Sequence, residues 1–174
     1  GTDTEGAVAL TLDFSDEAGN SATTVTAVTD ATSVTFDRTA PTATAVTIAS
    51  DNADTSKAKV GDEITVSFTV DDDLLGAPTA SIQTKSATVA VDGAHPNYSA
   101  KYTLLAGDSA GAIAFTLDFT DESGNAATQV SAVTDASSVT FDKTAPTATS
   151  VTIVSDNATN TVAKTGDEIT VSFT

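Results

Sequence analysis

Along most of this chain apolar and polar residues alternate with a period of two, the pattern of β-strands that bury one face and wet the other. Glu63–Val70 is the clearest case: Ile64, Val66, Phe68 and Val70 fall on one face, and Thr65, Ser67 and Thr69 on the other. Residues 42–50 end with Val46 and Ile48 on a common face. Residues 79–85 and 87–91 predict two short strands, followed by Asp92-Gly93, a dipeptide suited to a tight turn. Residues 97–105 align Tyr98, Ala100, Tyr102 and Leu104, and residues 112–119 align Ile113, Phe115, Leu117 and Phe119. A last strand over 126–141 is expected to break near Asp135-Ala136-Ser137. Polar, Gly- and Asp-rich turns separate these runs, and none of them carries a helical period. About seven strands with turns roughly every ten residues are the pattern of an all-β, immunoglobulin-like antiparallel β-sandwich. The Cys–Trp–Cys core of antibody domains is absent, so the expectation concerns architecture alone.

The pattern itself repeats. Phe36-Asp37-Arg38-Thr39-Ala40-Pro41 returns as Phe141-Asp142-Lys143-Thr144-Ala145-Pro146, 141 − 36 = 105 residues later. Sliding 1–69 along by that period places it on 106–174 without a gap, with 49 of 69 positions identical. A period of this length is a whole small domain, well above the usual solenoid unit. The chain therefore divides into the C-terminal part of one repeat (1–37), a complete repeat with its leading linker (38–142) and the N-terminal part of the next (143–174). The two partial repeats lack a counterpart of residues 70–105, so they cannot complete a sandwich even when neighbouring chains meet head to tail. The expectation is an excerpt of a longer array of tandem domains, which an intact mass near 17.4 kDa would contradict.

Composition narrows the function classes. Acidic residues outnumber basic ones 24 to 7, for a formal net charge of −17. Nucleic acid is a poor partner for such a chain, because neutralising phosphates takes clustered Lys and Arg. Anionic membrane surfaces are disfavoured for the same reason, and no apolar run approaches the ~20 residues of a membrane span, so membrane insertion of this segment is not expected. Divalent cations are the natural counter-charge, since hard oxygen ligands suit calcium. With no Cys, no disulfide can staple the fold, which is compatible with a secreted bacterial protein. Thr makes up roughly a fifth of the residues; its β-branched side chain favours strands, and the alternation argues against a disordered Ser/Thr-rich stalk.

Three motifs now carry a family resemblance. They are the Asp-x-Thr-Ala-Pro at each joint, Gly61-Asp62-Glu63-Ile64-Thr65-Val66-Ser67-Phe68, and Asp121-Glu122-Ser123-Gly124-Asn125 after the Phe-rich strand. In this order and spacing the chain resembles the bacterial immunoglobulin-like repeats of giant surface adhesins, including the calcium-dependent extender repeats of RTX-type adhesins. The resemblance spans all 174 residues. It implies an extracellular or cell-surface spacer for adhesion and biofilm formation, in which repeats hold a terminal binding module away from the cell and calcium stiffens the joints.

Candidate chemistry follows the sandwich topology. The loops after the second and sixth strands are expected at the entry end, bringing Asp71, Asp72, Asp73, Asp121, Glu122 and Asn125 near linker Asp37. At the exit end Asp51, Asn52, Asp62 and Asp108 are expected near linker Asp142. Loops of this kind supply the carboxylate and carbonyl oxygens that calcium takes, and the acids would repel one another without a cation. The opposing reading makes them solvated loop acids, with Asn, Asp and Gly present for turn geometry.

An enzyme is not expected. Asp121-Glu122 is a pair of adjacent turn acids that recurs in each repeat, and the only His, His95, stands beside Pro96 in a predicted turn. Two other functions remain as alternatives: a filament or biofilm-matrix fibre with lateral packing of copies, and a glycan-binding module. The second needs an exposed aromatic platform, whereas Tyr98, Tyr102, Phe115 and Phe119 are all expected to face inward. The partners expected are neighbouring repeats of the same chain.

Overall fold

The protein is described by a computed structural model over residues 3–92 and 96–174. The expected surface His95 and the Gly93 of the expected Asp92-Gly93 turn lie outside the described residues. The described residues are all-β, with no helix. They form two compact units, Gly1–Asp142 and Lys143–Thr174.

In the first unit β1 (Gly6–Ala7) pairs with β2 (Thr35–Phe36), and the first long strand begins after the linker that follows β2. β3 (Ala43–Ser50) and β5 (Glu63–Val70) follow the expected pattern closely, and in β5 every second side chain is buried, whereas β4 (Lys57–Ala58) is a two-residue strand inside the segment between them that reads as polar loop. β6 (Thr79–Ile82) turns back into β7 (Lys85–Ser86) through Gln83 and Thr84, both at positive φ. That two-residue left-handed turn ends the strand expected over 79–85 three residues early, because it reverses the chain to match strand twist. β8 (Thr88–Val91) and β9 (Asn97–Thr103) continue the antiparallel order β3-β5-β9-β8. β10 (Gly111–Ala112), β11 (Phe115–Asp118) and β12 (Thr140–Phe141) build the smaller sheets β10-β12-β4 and β11-β6-β7.

The inward faces of these sheets share one β-sandwich-like core. Ile64, Val66, Phe68 and Val70 of β5 meet Ile82, Phe115, Leu117 and Phe141 from the opposing strands. Phe68 stacks between Tyr98 and Phe119, with ring centroids 5.6 and 6.4 Å away. Tyr98, Phe115 and Phe119 are buried as expected, and Tyr102 is half-buried with its hydroxyl donating to Asp108. The expected strand over 126–141 is mostly irregular. It holds isolated bridges at Ala126 and Val130, passes Ala136 at φ 64°, and regains strand pairing only at β12. In between, the Thr134 amide donates to the Val46 carbonyl and Ser137 Oγ accepts from the Ile48 amide, so the segment is tied to β3.

In the second unit β13 (Thr152–Ser155) pairs with β14 (Ile169–Ser172). Its register, Thr152 opposite Ser172, is that of Thr47 opposite Ser67 moved by 105 residues. β1 and β2 likewise reproduce β10 and β12, with Gly6 opposite Phe36 and Gly111 opposite Phe141. Identity of sequence is thus accompanied by identity of local pairing.

Candidate metal centre

Asp37 follows β2, Asp72 follows β5, and Asp121 opens the turn after β11. One carboxylate oxygen from each lies within 4.8 Å of the other two, and among the described residues no other group of three acids or His residues comes together this way. Asp37 is half-buried and Asp121 is buried.

Local hydrogen bonds aim these side chains. Asn125 clasps Asp121, its amide donating to Oδ1 and its side-chain Nδ2 to Oδ2, both at 2.8 Å. The same Nδ2 also lies 3.4 Å from the Asp37 carbonyl, linking the turn to the linker. Gly124, at φ +95°, lets the turn close through its amide onto the Asp121 carbonyl. Burial pushes the Asp121 carboxyl up, but the donations from Asn125, Gly124 and Ser123 outweigh it and hold the pKa below the ordinary value. The carboxylate is therefore charged at neutral pH. Asp37 Oδ1 takes the Thr39 amide at 2.9 Å, which shapes the chain just ahead of Pro41.

The other acids expected at this end have different positions. Asp71 accepts from the amide and hydroxyl of Thr42, which lower its pKa and fasten the linker's end to the loop after β5. The Asp73 amide donates to Asp72 Oδ1, and the Asp73 carbonyl accepts from the exposed Glu122. Asp71, Asp73 and Glu122 thus surround the three-acid group without joining it.

The acids expected at the exit end do not gather around Asp142. Asp62 is buried and accepts from Asn52 Nδ2 at 2.8 Å, from the Lys59 amide at 2.9 Å and from Lys59 Nζ at 2.6 Å. These donors, Asn52 foremost, depress its pKa to about 2. Asp51 Oδ1 takes the Glu63 amide at 2.9 Å. Asp108, also buried, binds Tyr102 Oη and the Leu105 amide. Asp142 is exposed, and its amide donates to the Ala58 carbonyl. Asp62 and Asp108 thus close their own turns, as short polar side chains do, and Asp51 ties its loop to the start of β5.

One residue escaped the sequence reading. Glu5 accepts from the Arg38 amide at 3.1 Å and the Thr39 hydroxyl at 2.7 Å, and pairs with the Arg38 guanidinium at 3.6 Å. No repeat signal marks it, because Ala110 stands at the equivalent position.

Chemically, three convergent carboxylates on a linker and two loops fit a hard cation. They offer up to about six oxygens of the six to eight that calcium takes. Comparison with known protein families, curated proteins and solved structures finds no match to this chain.

Proposed function

We propose that this chain is a spacer segment of a long array of tandem immunoglobulin-like β-sandwich domains in a bacterial adhesin, exposed on the cell surface or secreted. Its work is mechanical: each domain buries its own core, and the joints determine how stiff the array is. Calcium is the cation proposed for the joint. The carrying observation is that linker Asp37 converges with Asp72 and Asp121 from two loops of the following repeat. Held between them, calcium would cancel their mutual repulsion and cross-link the linker to both loops. Asp71 and Asn125 act beside it by fixing the linker's end and the Asp121 carboxylate. The resemblance to RTX adhesin repeats supports the same reading, as do the 105-residue period and the strong acidity, which discourages collapse of copies onto one another.

The test combines calcium titration by calorimetry with small-angle scattering of the whole chain. Binding of one calcium per chain, with a longer and narrower distance distribution than in chelator, is expected. Asp72→Asn should weaken binding at least tenfold. Absence of binding heat together with unchanged scattering would overturn the calcium joint.

A further inference from the structure

The sheet β3-β5-β9-β8 has two edges, and they are built differently. At β3 the ladder is bulged between Thr44 and Thr47, and the 134–137 segment bonds to the strand at Val46 and Ile48. Bulges and covering segments of this kind keep a further strand from pairing with an edge. β8 has neither. It runs Thr88-Val89-Ala90-Val91 without charge or proline, in unbroken register with β9, and Val91 is 55% exposed.

The phase of the hydrogen bonds determines what this edge offers. The Asp92 amide donates to the Asn97 carbonyl, and the Val70 amide donates to the Pro96 carbonyl. Bonded pairs alternate along an antiparallel ladder, so Thr88 and Ala90 bond toward β9, while Val89 and Val91 turn their N–H and C=O groups away from it. Those groups lie at the two-residue spacing that an added strand takes. A cavity of about 490 Å³ borders the edge, lined by Val89 and Val91 and by Leu74 and Ala77 of the loop ahead of β6. Asp73 and Glu122 also line it, with no Lys or Arg among the described residues there.

We propose that β8 is a docking edge for an extended peptide segment of another protein, one that carries a Lys or Arg. Its backbone pairs with Val89 and Val91 and adds one strand to the sheet. An apolar side chain of the peptide packs against Leu74, Ala77 and Val89, and its cation is drawn to Asp73 and Glu122. Charge selects this occupant: the groove is acidic and the chain carries −17, so a second copy would bring like charge to the same edge. All of these residues belong to the complete repeat, and none is Asp37, Asp72 or Asp121. The edge therefore adds recognition to the proposed spacer role without relying on calcium.

A short, capped, dye-labelled peptide that alternates Val and Thr around a central Lys tests this. It is titrated into the whole chain at low salt in chelator, and binding is read by fluorescence anisotropy. Saturable binding is expected, about tenfold weaker when Glu replaces the peptide's Lys and lost when alternate peptide amides are N-methylated. Val91→Pro should abolish binding and leave the melting transition nearly unchanged, because the Val91 N–H faces the open edge. Glu122→Lys should remove the preference for the Lys peptide. A Lys peptide that does not saturate, a Glu peptide that binds equally well, or binding that survives N-methylation or Val91→Pro would each overturn the proposal. So would a rise in sedimentation mass of the chain alone that Val91→Pro removes, since the occupant would then be a second copy.

Discussion

Asp62 and Phe68 illustrate how the same residue type takes its meaning from its surroundings. Asp62 is buried, charged and supplied with three donors, whereas most acids of this chain are solvated. Its folded pKa of about 2 lies below the usual carboxylate value, so the stability it contributes is present above pH ~4 and is lost as the pH falls toward 2. Asp62→Asn should therefore lower the melting temperature at pH 7 and flatten its fall between pH 4 and 2, read by thermal melts across that range. Phe68 fills the centre of the aromatic stack, and Phe68→Ala should cost about 3–5 kcal/mol in chemical denaturation. The same change at its exposed counterpart, Phe173→Ala, should stay within about 0.5 kcal/mol for the core transition.

At the scale of elements, turns do as much as strands to position the candidate site. The alternation over Glu63–Val70 determines which face is buried, and β5 then delivers Asp72 just beyond its end. The turn at 121–125 needs Gly124 at φ +95°, where a Cβ would meet no neighbour but the backbone conformation itself is unfavourable. Gly124→Ala should destabilise the fold by about 1 kcal/mol in denaturant melts. If the proposed calcium joint holds, the same variant should also weaken calcium binding, because Asn125 would no longer hold Asp121 as tightly. Sequence alternation reached β3, β5 and β11 because each buries one face, and it reached β9 although Ser99 is buried on that strand's other face. It overreached at 79–85, where nothing in Gln83-Thr84 advertises a left-handed turn, and at 126–141, where the half-buried Ala127, Val130 and Val133 come every third residue and the backbone bonds at isolated points to Phe119, Leu117 and Val46 instead of forming a regular ladder.

For the whole molecule, the proposed spacer role makes the stiffness of a chain of domains the quantity to test, and the proposed cation would couple that stiffness to stability. Ligand bound only to the folded state stabilises it by about 2.7 kcal/mol at a hundredfold excess over Kd. Calcium should accordingly raise the melting temperature of the wild-type chain in differential scanning calorimetry, and chelator should reverse the shift. Asp37→Asn should abolish the calcium-induced shift while leaving the melt in chelator nearly unchanged, since Asp37 lies in the linker and outside the apolar core.

The strand-rich character, the inward residues of the long strands, the 105-residue period and the acidic loops beside the linker were all legible from sequence alone. Each rests on local periodicity or on direct repetition, which need no knowledge of distant contacts. Tertiary structure alone decided which acids meet. Asp71, Asp72 and Asp73 are consecutive and chemically identical, yet Thr42 takes the first, the three-acid group takes the second, and the third offers its backbone to Glu122. It also decided that Asp62 and Asp108 turn inward to close their own loops while Asp142 stays exposed. Carboxylate chemistry is the same at every one of these positions; the direction of each side chain depends on donors supplied by residues far away in the chain or across a turn.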